Sequence, residues 1–219
     1  MNNPLKSVLS LPKGMFLFLV LYALSLPVIR AEAALTHHSM LLGWLGLSPA
    51  LVWHGQVWRM FTYDFLAVGV AWWIISLFWL TTLMMILARN WSSKAFWIYC
   101  LVAAFAGALP FVLIRPGLDA RIFGDGAIVM ALLVAWDRLY RRERLVMLGL
   151  GEMSVRQAAV FIGVLNVVIV YFSCGGWLGS LSMICGGAAG WLYLAIGDKR
   201  VMRRGSTTTQ SERIARLEI

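Results

Sequence analysis

The chain has 219 residues, of which 61% are hydrophobic and 13% charged, with a net charge of +9. Soluble domains carry about 45–50% apolar and about 25% charged residues. This balance excludes an ordinary soluble enzyme, a disordered tail and a nucleic-acid module, and describes an all-α polytopic membrane protein.

A membrane-crossing helix needs about 20 apolar residues. Six segments approach that length, at Gly14–Ile29, Ala67–Ala88, Ala95–Ile114, Ile122–Trp136, Gln157–Ser173 and Trp177–Ile196. The fourth is short and contains Asp125, and the fifth contains Asn166. With all six crossing, 15 of the 19 basic residues fall on one side, leaving Arg30, Arg59, Arg115 and Arg121 on the other. The positive-inside rule then places both termini in the cytoplasm. The organisation is a cytoplasmic N-terminus at 1–13, a membrane domain at 14–196 and a basic cytoplasmic tail at 197–219. Lys6, Lys13 and Ala31-Glu32-Ala33 imitate a cleaved signal. Arg30 beside the cut and the loss of charge alternation favour an uncleaved first span. Size and simplicity suit a bacterial inner membrane, and the tail from Gly205 reads as partly disordered.

Of the connections, Asp137–Arg156 mixes basic and apolar residues, which suits an amphipathic piece on the inner leaflet or a solvated loop. The outer connection from Arg30 to Leu66 is long and apolar. It holds Trp44, Trp53 and Trp58, broken by Gly43, Gly46 and Pro49. Tryptophan favours the headgroup level, ring in lipid and N–H in water. Short interfacial helices are therefore expected here. Cys100, Cys174 and Cys185 fall in apolar runs and read as small hydrophobes. His37, His38 and His54 all lie in the outer connection. No phosphate loop, metal site or cofactor site is indicated. The expected partners are membrane lipids and transmembrane proteins, with no nucleic acid.

The outer connection ends in Gly55-Gln56-Val57-Trp58-Arg59-Met60-Phe61-Thr62-Tyr63-Asp64-Phe65-Leu66. This resembles the approach to the second span of rhomboid intramembrane proteases, G-x-x-W-R-x-x-T-x-x-F-L-H. Gly55, Trp58, Arg59, Thr62, Phe65 and Leu66 match, and Ala67 stands at the histidine. The six-span plan with a long interfacial first loop is similar as well. Phe123-Gly124-Asp125-Gly126-Ala127-Ile128 resembles the family's G-x-S-G-A-I segment, with Asp125 in place of the nucleophilic serine. Met183 through Tyr193 resembles the H-L-G-G-x-x-x-G segment. Aligning on Gly186 and Gly190 puts Met183, or with a shift of one Ile184, at the catalytic histidine. Trp72 and Ser76 stand where the oxyanion-holding His and Asn would be.

A serine hydroxyl needs a base to become a nucleophile, and its tetrahedral oxyanion needs donors. The resemblance therefore implies a catalytically inactive relative, derlin-like in kind. It would recognise or hold transmembrane clients through a lateral opening near the second and fifth spans. Binding candidates are Asp125, Gly124, Gly126, Trp58, Arg59 and Ser182. A charge within a membrane costs about 2.5–3.5 kcal/mol even on lenient scales, so Asp125 either grips a polar group or caps the fourth helix. Its expected neighbours are Met183, Ile184, Ser182 and small residues of the last span. Gly186 and Gly190 suit close packing against Gly126 or Ala127. Asn166 suits an interhelical hydrogen bond, and Arg59 suits folding of the first loop through its carbonyls. The rival is a rhomboid-family peptidase, serine-type by homology or with Ser76, Ser180 or Ser182 recruited. A further form uses Asp64 and Asp125 as an aspartyl pair. The rhomboid plan implies that those carboxyls sit at different depths, too far apart to share a proton. A small-solute transporter is disfavoured by the missing repeats.

Overall fold

The computed structural model describes residues 11–36, 39–67, 69–119, 121–141, 143–147, 151–173 and 176–215. The apolar runs form long helices, because a backbone in lipid must satisfy its own hydrogen bonds. They are α1 (Lys13–Thr36), α5 (Val70–Leu87), α6 (Ser93–Ile114), α8 (Val155–Ser173) and α9 (Gly176–Ala215). Ser92 starts α6 as its N-cap, its Oγ accepting from the Ala95 amide at 3.3 Å. Among the described residues, five helices have the length and apolarity to cross a bilayer.

The expected sixth crossing is α7 (Gly126–Tyr140), which has only 15 residues. At about 1.5 Å per residue it falls short of a hydrocarbon core about 30 Å thick. It is the enclosed helix of the bundle. α5, α6, α8 and α9 all pack on it, and Ala127, Ile128, Val129, Ala131, Leu132, Leu133, Ala135 and Trp136 are buried.

Small residues allow this enclosure. A Cβ on Gly186 of α9 would lie 2.7 Å from the Ala127 Cβ of α7. One on Gly190 would lie 2.5 Å from the Tyr99 hydroxyl and 2.9 Å from the Ala131 Cβ. Tyr99 of α6 uses that space to donate to the Ala131 carbonyl at 2.5 Å. The Gly186–Gly190 pair thus lets α6, α7 and α9 meet, as its spacing suggested.

The outer connection folds into short helices, α2 (Met40–Leu45), α3 (Pro49–Trp53) and α4 (Arg59–Thr62), then a 3-10 turn at Tyr63–Phe65. α3 and α4 pack on α6. The Trp44, Trp53 and Trp58 rings are exposed, as expected for an interface. Two of their N–H groups bond protein rather than water. Trp53 donates to the Val112 carbonyl at 3.1 Å and Trp58 to the Trp44 carbonyl at 3.3 Å.

Three expectations change. The 137–156 connection carries a two-stranded antiparallel ribbon, β1 (Arg144–Met147) with β2 (Gly151–Ser154). Local pairing satisfies the backbone of these strands. α9 continues past its apolar window, which ends at Gly197, and stays helical to Ala215. Asn166 donates to the Ile162 carbonyl of its own helix at 2.8 Å, since a carbonyl one turn back is the nearest acceptor. Ser180 makes the bond between α8 and α9 instead, donating to Val167 at 3.1 Å. His37, His38 and Cys174 lie outside the described residues.

Candidate functional site

The Trp58-Arg59 segment builds the support for Asp125. Arg59 is buried and bridges two places in the loop, donating from Nη1 to the Gly46 carbonyl at 2.7 Å and from Nε to Gln56 Oε1 at 2.7 Å. Thr62 Oγ1 donates to the Leu45 carbonyl at 2.7 Å. Arg59 is thus a loop-folding residue. Next to Gly46, Leu47 exchanges backbone hydrogen bonds with Ile122 at 2.9 and 2.8 Å. The Gly124 amide bonds the Tyr63 carbonyl at 3.3 Å. Gly124 has φ +135°, a conformation that L side chains rarely adopt. These bonds fix the chain on both sides of the turn that delivers Asp125.

Asp125 occupies the N-cap position of α7, yet its side chain makes no capping bond. The carboxyl turns to α5, where Ser76 Oγ donates to its Oδ1 at 3.1 Å. Both residues are buried. The Trp72 and Tyr22 side chains also face the Asp125 carboxyl. Trp72 and Ser76 thus flank Asp125. The hydrogen-bond partner is Ser76 of α5, where the expectation was for Ser182 and its neighbours on the last span.

The register of the last span is decided by burial. Met183 is 2% exposed, whereas Ile184 is 51% exposed. Successive residues on a helix point about 100° apart, so only Met183 faces the bundle. A Cβ on Gly126 would lie 3.0 Å from Met183 Cγ, so Met183 packs over the residue next to Asp125. Ser182 is also buried and lies beside the Tyr63 hydroxyl. Tyr63 donates to the Ala104 carbonyl at 3.3 Å.

Asp64 and Tyr22 complete a polar centre. Asp64 is fully buried, and neither carboxyl oxygen has a hydrogen-bond partner. Asp64 lies in the turn between spans. Burial pushes its carboxyl well above the usual carboxylate range, and the nearby Asp125 charge pushes the same way. Tyr22 of α1, also fully buried, has an unpartnered hydroxyl facing Ser76, Asp125 and Asp64. Motif spacing does not single out Tyr22. The available signal is a phenol in the middle of an apolar span.

Chemically, this is an all-oxygen site of two carboxyls and several hydroxyls in a membrane bundle. A family model described as Eukaryotic integral membrane protein (DUF1751) matches residues 13–205, most of the chain and all of this site. The chain belongs to this family. No curated protein matches it. Membership makes the protein an integral membrane protein in contact with lipid. It also overturns the bacterial inner membrane, because the family is eukaryotic. Span length and basic-residue placement follow from bilayer physics shared by both kinds of cell, so they could not separate the two.

Proposed function

We propose that this protein is a non-catalytic, rhomboid-like member of its family that recognises or holds transmembrane segments of client proteins. The carrying observation is the make-up of the site at Asp125. Asp125, its carboxyl bonded by Ser76, and Met183 of α9, packed against the neighbouring Gly126, stand where the resemblance puts a nucleophile and its base. A thioether cannot take a proton from a nucleophile. Client holding is supported by the arrangement of the spans. α5 and α8 both pack on α7 but not extensively on each other. α5 exposes Ile74, Ile75 and Phe78, and α8 exposes Val160, Phe161 and Val164. A client helix carrying a polar residue would gain hydrogen bonds beside α7 that lipid cannot supply. The test places a photoreactive residue at Ile74 or Val164 in native membranes, with Leu17 and Leu21 on the outer face of α1 as controls. Adducts with membrane proteins at the first pair and not the second support the reading. Equal labelling at all four overturns it.

The peptidase rival draws on one observation, that Asp64 and Asp125 are both buried and act on each other. An aspartyl mechanism needs two carboxyls whose proton affinities are pushed apart. It requires purified protein to cleave a transmembrane substrate, with cleavage lost in both Asp64→Asn and Asp125→Asn.

A further inference from the structure

We propose that Tyr22, Asp64, Ser76 and Asp125 form a binding site for one small monovalent cation of the sodium class. Four oxygens carry the inference. Tyr22 Oη, Asp64 Oδ1 and Oδ2, and Asp125 Oδ2 are buried without a hydrogen-bond partner. They come from three places in the chain, namely α1, the turn before α5, and the N-cap of α7. Tyr22 and Asp64 are 0% exposed and Asp125 1%. Buried polar groups are nearly always partnered, and each exception calls for an explanation.

The charge balance points to a cation. None of the groups acting on the two carboxyls is basic. A buried carboxylate without a counter-charge is costly enough to be rare, and ionisable groups inside membrane bundles mark ion or proton sites by default. The donors select the ion. All are oxygen, which disfavours zinc, copper and other metals that prefer nitrogen or sulfur. Among the described residues no three His, Cys, Asp or Glu side chains gather into a metal site. Calcium takes about 6–8 oxygens and magnesium holds on to its waters, so a buried cluster with few donors fits a monovalent ion. Asp125 Oδ2 and Tyr22 Oη are the direct ligands in this assignment. Ser76 keeps free lone pairs while donating to Asp125, and the neutral Asp64 carboxyl offers further acceptor oxygens while Asp125 supplies the balancing negative charge. The site does not depend on client holding.

The test uses the full chain purified in detergent. Binding of radioactive sodium is measured, together with the unfolding temperature in sodium, lithium, potassium and choline chlorides at one ionic strength. Saturable binding of one sodium per chain is expected, with a higher unfolding temperature in sodium than in choline. Asp125→Asn should abolish both effects. Tyr22→Phe removes a ligand but no charge, and should weaken sodium binding about tenfold, the scale of one lost polar contact. It keeps the test decisive where Asp125→Asn fails to fold. No saturable binding, binding unchanged in Tyr22→Phe, or displacement by calcium or magnesium at lower concentration than by sodium would each overturn the assignment.

Discussion

Asp125 departs from the usual behaviour of an aspartate at a helix start. Its side chain leaves the first turn of α7 uncapped and takes the Ser76 hydroxyl on another helix. Local preference could not reveal this, because Ser76 is 49 residues away in the chain. Arg59 is the opposite case, since both of its partners lie within the loop its motif closes. Arg59→Ala should lower stability by about 2–4 kcal/mol, through loss of charge-assisted bonds and exposure of buried carbonyls. Arg59→Lys should recover little, because an ammonium on a flexible stem cannot reproduce the fork. Thermal unfolding in detergent measures both. Asp64 gives a pH prediction. A group held above its unfolded-state value near 3.9 favours the folded state fully below that value, and the contribution is lost as pH rises through the raised value. In sodium-free choline buffer the unfolding temperature should therefore fall as pH rises above the ordinary carboxylate range. The fall should be smaller in Asp64→Asn. Asp125, Tyr22, Tyr63 and Cys100 are the titratable groups that act with Asp64. An identical slope in the variant would contradict the assignment.

At the scale of elements, the bundle depends on how near α9 can approach α7. Gly186→Ala places a methyl 2.7–2.8 Å from Ala127 atoms, and overpacking of this kind costs about 1–3 kcal/mol. Ala127→Gly in the same chain removes the nearest of those atoms and should restore part of the loss. The coupling of a double-mutant cycle reads this directly. Gly197→Ala, with nothing within 4 Å, is the control and should not destabilise. The ribbon makes a contrasting case. Its Arg144–Glu152 pair spans 3.9 Å with side chains 82% and 68% exposed. Removing either charge should leave the unfolding temperature unchanged, since exposed pairs contribute little. The small-residue spacing in the last span is legible in the amino-acid sequence, because helical periodicity puts Gly186 and Gly190 on one face. The ribbon is not, because four-residue strands carry too little pattern to separate them from an amphipathic turn.

For the whole molecule, the decisive feature is that the shortest of the large helices is the most enclosed. Amide exchange should therefore be slowest in Gly126–Tyr140, whose bonds open only when the surrounding helices separate, and fast in the paired strands Arg144–Met147 and Gly151–Ser154. Comparable exchange in both would contradict the central position of α7. Composition alone determined that this is a helical membrane protein, because burying that much apolar surface requires lipid. The apolar runs marked six segments, five of which form helices long and apolar enough to cross among the described residues, and the Trp58-Arg59 motif located the folded loop. Tertiary structure alone decided that α7 is the enclosed core helix, since enclosure depends on neighbours. It also decided that Met183 rather than Ile184 faces inward, because one residue turns a helix by about 100°. The meeting of Tyr22, Asp64, Ser76 and Asp125 belongs to the same class. Each sits in a different segment, and only packing brings into one place polar groups that no single stretch of the chain contains.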